Sequence, residues 1–225
     1  MKKILSLILV LFVAIMLTAC EDKEVEEVEK TDQDIKIIDQ TDDGEIVKGV
    51  LEGYTFTETE EVTDRVKIQM ENGDVILIVL SNTQTPITIE NFKKLVGEKF
   101  YDGLIFHRVI IDFMIQTGDP TGTGYHGSDE TIKGEFNMNG VMNTMSHTRG
   151  VISMARSNDP NSASSQFFIV QKDYTSLDGS YAAFGKVFAG MDAVDFIANT
   201  ETDPNDKPVT EQKIKSIRFI EVEKA

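Results

Sequence analysis

Apolar and polar positions divide the chain into three stretches. Residues 4–16 are an apolar run behind Lys2 and Lys3, residues 21–45 are dominated by polar and acidic side chains, and from 65 onward short apolar runs alternate with turn residues. Runs at 65–70 and 75–80 flank Glu71-Asn72-Gly73-Asp74. Two strand-like runs around Asn-Gly predict a hairpin with positive φ at the turn residues. Thr85-Pro86 opens a helix, with Thr as N-cap and Pro at the first helical position. Phe92, Leu95 and Val96 give that helix one apolar face, and Gly97 is a stop. Further strands are predicted at 104–110, 113–116, 151–154, 166–170, 183–188 and 214–222, with a second short helix through Met191, Val194 and Ile197. About eight strands and two helices predict a mainly β domain closed into a barrel, because closure removes exposed sheet edges. Residues 46–62 are ambiguous: Ile46, Val47, Val50 and Leu51 fit either a short strand or more linker.

The N-terminal run reads as an export signal, with a basic start, a short apolar centre and small residues before a break point. It is shorter than the roughly 20 residues that cross a bilayer, and it lacks the polar face of a core helix. Its end, Leu17-Thr18-Ala19-Cys20, resembles the bacterial lipobox, in which the cysteine receives a diacylglyceryl group and becomes the first mature residue. The resemblance implies a signal peptide at 1–19 and lipidation of Cys20. The protein would then be extracytoplasmic and held at the cell membrane by its lipid rather than spanning it. Residues 21–47 carry twelve acidic residues against three lysines. Like charges at this density repel, and few apolar residues drive collapse, so 20–63 is read as a flexible acidic tether. An acidic metal-binding segment is the alternative. The remaining 64–225 are long enough for one domain with a sizeable core.

Composition removes several classes of function. The chain has 225 residues with 22 Lys+Arg against 38 Asp+Glu, a net charge of −16, which argues against a nucleic-acid partner. One cysteine excludes a disulfide framework, a cysteine-built zinc site and a CxxC redox pair. His107, His126 and His147 show no ligand spacing, so no metal site is expected. Gly122-Thr-Gly124-Tyr-His-Gly127 matches GxGxxG but lacks a strand before it and a helix after it. It reads as a flexible glycine-rich surface loop. Composition leaves a Ser-His-Asp hydrolase open, although no GxSxG turn is present. Asp203-Pro-Asn-Asp206 reads as a turn.

The segment 106–116, Phe-His-Arg-Val-Ile-Ile-Asp-Phe-Met-Ile-Gln, interleaves cationic and amide donors with large apolar groups. An arginine in such a strand needs a carboxylate partner, and none is adjacent in sequence. It is either aimed at something outside or carried on a polar strand face. Phe106-His-Arg-Val-Ile, Phe113-Met-Ile-Gln116 and Gly118-Asp119 closely resemble the signature of the cyclophilin family of peptidyl-prolyl isomerases. The likeness continues through Ile152-Ser-Met-Ala155, Asn161-Ser-Ala-Ser-Ser-Gln-Phe-Phe-Ile169, Leu177-Asp-Gly179 and Phe184-Gly-Lys-Val187, and spans about 65–223.

The resemblance implies a closed eight-stranded β-barrel capped by two α-helices, with its site in a groove on the outer face. Arg108 matches the catalytic arginine, with Phe113 and Gln116 beside it in the catalytic set. Phe113, Met114, Phe168 and Leu177 match the proline pocket. Gln116, the backbone around Ala155 and Arg156, and Gln166 match the groups that hold the peptide, with His107 beside them. Tyr181 stands where many eukaryotic members have histidine, Ser176 where they have tryptophan, and Arg156 where asparagine is common. Thr117 and Ser164 stand where glycine is frequent. The implied partners are proline-containing unfolded or exported polypeptides, with no nucleic acid, no metal and no other cofactor, and the protein is expected to be monomeric. Two rivals stand beside this reading: a peptide-binding module or holding chaperone without turnover, and a hydrolase.

Overall fold

The computed structural model describes residues 33–224. The expected export signal, Cys20 and the first part of the acidic segment lie outside the described residues. In chain order the elements are β1 (Lys36–Gln40), β2 (Ile46–Leu51), β3 (Tyr54–Glu58), β4 (Arg65–Met70), β5 (Val75–Val79), α1 (Pro86–Gly97), β6 (Arg108–Ile110), β7 (Met114–Thr117), β8 (Val151–Met154), β9 (Phe167–Val170), β10 (Ala183–Ala189), α2 (Met191–Ala198) and β11 (Ile214–Lys224). Short 3-10 turns cover Asn137–Asn139 and Thr175–Leu177.

The mainly β architecture with two helices is as expected, but the closed eight-stranded barrel is corrected. The described strands form one eleven-stranded antiparallel sheet in the order β1-β2-β3-β11-β4-β5-β10-β8-β9-β7-β6, with β1 and β6 at its two ends. The ladder stops at β6 because only Arg108–Ile110 is strand; residues 104–107, expected to extend it, are not. Contact between this end and the start of β11 is limited to the bridge Ile105↔Lys213 and a few backbone bonds, such as Phe106 N–H to Gln212 O at 2.9 Å. At its other end β11 runs on past β4. Its first part pairs with β4 and its last part, Ile220 to Lys224, pairs with β3.

Strand replaces the expected tether at Lys36–Gln40, and over 46–58 the strand alternative holds, so that 36–58 form the meander β1–β3. Ile46, Leu51 and Phe56 are buried and share a small core with Val75, Leu77, Ala189 and Ile220. Burial of these side chains outweighs the repulsion seen in the local charge count, because cations remote in sequence meet the acids. Glu58 pairs with the buried Lys67, and Glu45 with Arg218 at 3.1 Å. At the hairpin only Gly73 takes positive φ, at 94°, while Asn72 uses its side chain to bond Asp74.

Helix α1 starts at Pro86 as predicted, but Thr85 does not cap it with its side chain. Its hydroxyl donates to Asn82 O, and the buried carboxylate of Glu135 instead accepts the N–H groups of Ile87 (3.1 Å) and Thr88 (2.8 Å). Phe92, Leu95 and Val96 from α1 and Val194 and Ile197 from α2 enter the main core. A third apolar cluster, Met114, Val151, Phe168, Val170 and Ala183, lies on the other face of the sheet.

Candidate active site

Strand alternation builds the site. Val109, Ile115, Ile169 and Ile152 stand in one cross-strand row over β6, β7, β9 and β8, and all four point into the main core. The neighbouring row must face the opposite way, since successive strand side chains alternate. That row is Arg108↔Gln116↔Phe168↔Ser153. One step along, Ile110↔Met114↔Val170 occupies the same face. A cation, an amide and an aromatic ring are therefore brought side by side by register alone.

These rows floor a groove of about 600 Å³. His107, Arg108, Phe113, Met114, Gln116, Ala155, Arg156, Phe168, Leu177 and Tyr181 all line it. Gln166 stands one layer behind, where its Oε1 accepts from Gln116 Nε2 at 2.8 Å and its own amide donates to the carbonyls of Gly124 and His126. The apolar part of the wall is formed by Phe113, Met114, Phe168 and Leu177, with Tyr181 packed edge-on to Phe168 at 5.9 Å.

Arg108 is steadied by two long contacts. Its Nη1 donates to Gln116 Oε1 at 3.4 Å, and its Nε faces Asp206 Oδ2 at 3.6 Å. Asp206 was missed in the sequence, although the Asp-Pro-Asn-Asp turn that carries it was read. Asp203 Oδ1 closes that turn by accepting the N–H groups of Asn205 (2.8 Å) and Lys207 (3.0 Å), bonds that hold its carboxyl below the usual range. Asp206 then sits at φ 64°, with its carbonyl accepting Val109 N–H at 2.8 Å. Turn chemistry could be read from the four residues; their docking beside Arg108 could not.

The glycine-rich loop is ordered around Asp119 rather than loose. The buried Asp119 carboxylate accepts N–H bonds from Thr121 (2.7 Å) and Gly124 (2.6 Å), with the Thr121 hydroxyl at 2.8 Å. Burial pushes this carboxyl up, but the bonds from Thr121, His126 and Gly124 outweigh it and hold it far below the usual carboxylate range. The loop is thereby laid against His107, so closely that a Cβ added at Gly124 would meet the imidazole at 3.4 Å. His107 is buried, and its ring nitrogens reach no partner at hydrogen-bond geometry. Burial lowers its pKa, although Asp119 and Gln166 favour the charged form.

Behind Phe168 lies a chain of hydrogen-bonded groups, buried at His147 and Ser153 and open to solvent at Asp178, that sequence reading did not find. Asp178 can only accept, so the Nδ1 of His147 donates to it at 2.8 Å, and in the neutral ring Nε2 then accepts from the Ser153 hydroxyl at 3.0 Å. Burial lowers the His147 pKa despite Asp178. The imidazole stacks on Phe168 at 6.0 Å and 17°. This is a Ser-His-Asp constellation in composition only: His147 and Ser153 are both 0% exposed, so no substrate carbonyl reaches the hydroxyl. Arg156 brings its charge to the groove wall. Its guanidinium lies over the rings of Phe136 (5.0 Å) and Tyr181 (4.7 Å) and donates to the Ser180 carbonyl. Among the described residues no group of three or more His, Cys, Asp or Glu side chains is placed to hold a metal ion.

The family model for "Cyclophilin type peptidyl-prolyl cis-trans isomerase/CLD" matches residues 65–219. A Gibberella zeae protein, "Peptidyl-prolyl cis-trans isomerase-like 1", is 39% identical over 163 residues, 72% of this chain and 98% of its own. A crystal structure of a Cryptosporidium parvum cyclophilin type peptidyl-prolyl cis-trans isomerase aligns with TM-score 0.64 and 33% identity, covering 70% of this chain and 97% of that one. A second structure of that protein, in the presence of the dipeptide Ala-Pro, aligns with TM-score 0.62 and 32% identity over 69% and 98% of the two chains. The motifs around Arg108, the sheet that aligns them and these relatives agree, and the chain belongs to the cyclophilin-type peptidyl-prolyl cis-trans isomerases.

Proposed function

We propose that this isomerase accelerates X-Pro rotation in exported polypeptides outside the cytoplasm, held at the membrane through a lipid on Cys20, and that Arg108 is its catalytic group. The observation that carries the catalytic part is the row Arg108↔Gln116↔Phe168, which sets a guanidinium beside the apolar wall of the groove. The Ala-Pro dipeptide in the Cryptosporidium parvum structure supports the same class of ligand for this groove.

Rotation about X-Pro is opposed by amide resonance, a barrier of roughly 18 to 20 kcal/mol, and uncatalysed exchange takes tens to hundreds of seconds. In the twisted state the prolyl nitrogen regains its lone pair and accepts a hydrogen bond. A guanidinium aimed at that nitrogen interacts more strongly with the twisted state than with either planar isomer, which is the condition for catalysis. Arginine suits the task because it stays protonated and offers rigid donors. Phe113, Met114, Phe168 and Leu177 hold the ring while the carbonyl side turns. Gln116 hydrogen-bonds both Arg108 and Gln166, so it orients the guanidinium. No covalent intermediate is needed.

A proline-peptide exchange assay comparing wild type with Arg108→Ala tests this. Loss of a transition-state donor of this kind costs about 10²- to 10³-fold, with the fold retained. Equal rates would leave a binding module rather than an isomerase that uses Arg108. The anchor is supported by Leu17-Thr18-Ala19-Cys20 alone. Partition into a detergent phase should disappear in Cys20→Ala, and unchanged partition of that variant would remove the lipid from this reading.

A further inference from the structure

Of the cations that line the groove, Arg108, Arg156 and Lys207, only Arg108 forms an ion pair among the described residues. Arg108 faces Asp206 at 3.6 Å. Lys207 donates its Nζ to the Gly122 carbonyl at 3.3 Å and stands near enough to the Asp203 carboxylate for its charge to favour the ionised form. Arg156 has only neutral acceptors. Its Nε and Nη2 donate to the Ser180 carbonyl at 3.1 and 2.9 Å, and its Nη1 donates to the Ser157 carbonyl at 2.8 Å. Its guanidinium carbon also lies over the rings of Phe136 and Tyr181, at 5.0 and 4.7 Å. Among the described residues, none of the ion pairs formed includes Arg156. In a chain with 38 acidic against 22 basic residues, a cation left unpaired in a cleft has not lacked for available carboxylates.

These contacts fix the guanidinium without neutralising it. Three of its five N–H donors are used, which leaves two. A charge held in place loses little side-chain freedom when an anion arrives, so more of the attraction appears as binding. Its position relative to the proline pocket also follows. The guanidinium carbon is 4.7 Å from the Tyr181 ring centre, and that ring is 5.9 Å from Phe168. At most about 11 Å therefore separates Arg156 from the pocket ring, the length of about three extended residues.

We infer that Arg156 is a specificity-determining residue that selects substrates bearing a carboxylate side chain within three residues of the proline. This rests on the groove receiving a prolyl peptide, and the experiment separates the two. Peptides identical except for Glu or Gln at each position from three before to three after proline are compared by NMR exchange at low ionic strength. Wild type, Arg156→Gln and Arg156→Lys are each measured. The expected result is that at one position wild type turns over the Glu peptide about three- to fivefold better than its Gln partner, as a partly exposed charge contact allows. The preference should fall toward one in added salt, vanish in Arg156→Gln and survive in part in Arg156→Lys. Because the Glu/Gln ratio is taken within one variant, a general loss of rate from disturbing Tyr181 does not affect it.

A ratio near one at every position in wild type would overturn the inference and leave the isomerase intact. So would a preference that persists undiminished in Arg156→Gln. No acceleration of any peptide by wild type would overturn the isomerase reading and this inference with it.

Discussion

Arg108 and Asp206 meet at 3.6 Å at the rim of the groove, with side chains 43% and 45% exposed. An ion pair so open to water is worth about 0 to 1 kcal/mol, too little to withdraw the guanidinium from a substrate. It is enough to bias its direction, since Gln116 contributes only a 3.4 Å contact from the other side.

Asp206→Asn should therefore slow prolyl exchange by about two- to tenfold, in line with the loss of positioning rather than of the catalytic group. Its urea midpoint should stay close to wild type. Asp206→Glu should recover part of the rate. A variant with full activity would assign the orientation of Arg108 to Gln116 alone.

Acid should weaken the fold in two stages. His107 and His147 have pKa values lowered from 6.5, chiefly by burial. The unfolded chain then binds protons more readily, so their contribution is full above pH 6.5 and is lost as pH falls through and below that value. Asp119 and Asp178 are lowered from 3.8, because hydrogen bonds outweigh the upward push of burial. Their contribution is full above pH 3.8 and declines below it. Urea unfolding between pH 8 and pH 3 should show both descents. His147→Gln should flatten the upper one, and a wild-type slope there no steeper than that of the variant would contradict the assignment.

Removing the carboxylate of Glu135 should destabilise α1 from a distance. Glu135→Ala leaves the N–H groups of Ile87 and Thr88 without their acceptor, a loss of about 1 to 3 kcal/mol by urea denaturation. Glu135→Gln should cost less, since its carbonyl oxygen still accepts. Equal stability of the alanine variant would mean that water replaces the cap.

The meander before β4 should behave as part of the folded domain. Phe56 is 0% exposed and packs with Val75, Leu77 and Ile220. Truncating a buried phenylalanine costs about 3 to 5 kcal/mol, so Phe56→Ala should lower the urea midpoint strongly. A solvated tether would lose nothing.

What the sequence determined by itself was set by local pattern. Short apolar runs between turn residues placed β4, β5 and β8–β11 within a few residues, and Thr85-Pro86 placed the start of α1. Arg108, Gln116 and Phe168 were grouped in the sequence only by the family resemblance, and it is the register of β6, β7 and β9 that sets them on one face. Residues whose partners lie far along the chain were not legible. Glu135 capping α1, Asp206 facing Arg108, His147 joining Asp178 to Ser153, and Lys67 and Arg218 neutralising Glu58 and Glu45 all depend on how strands and loops pack, and most of these pairs lie tens of residues apart. The same holds for β1–β3, whose acidity reads as repulsion until the sheet supplies buried apolar surface and opposite charge. Alternation is a property of neighbouring residues and can be read along the chain. Charge compensation and desolvation depend on which groups end up adjacent in space, and only the folded sheet decides that.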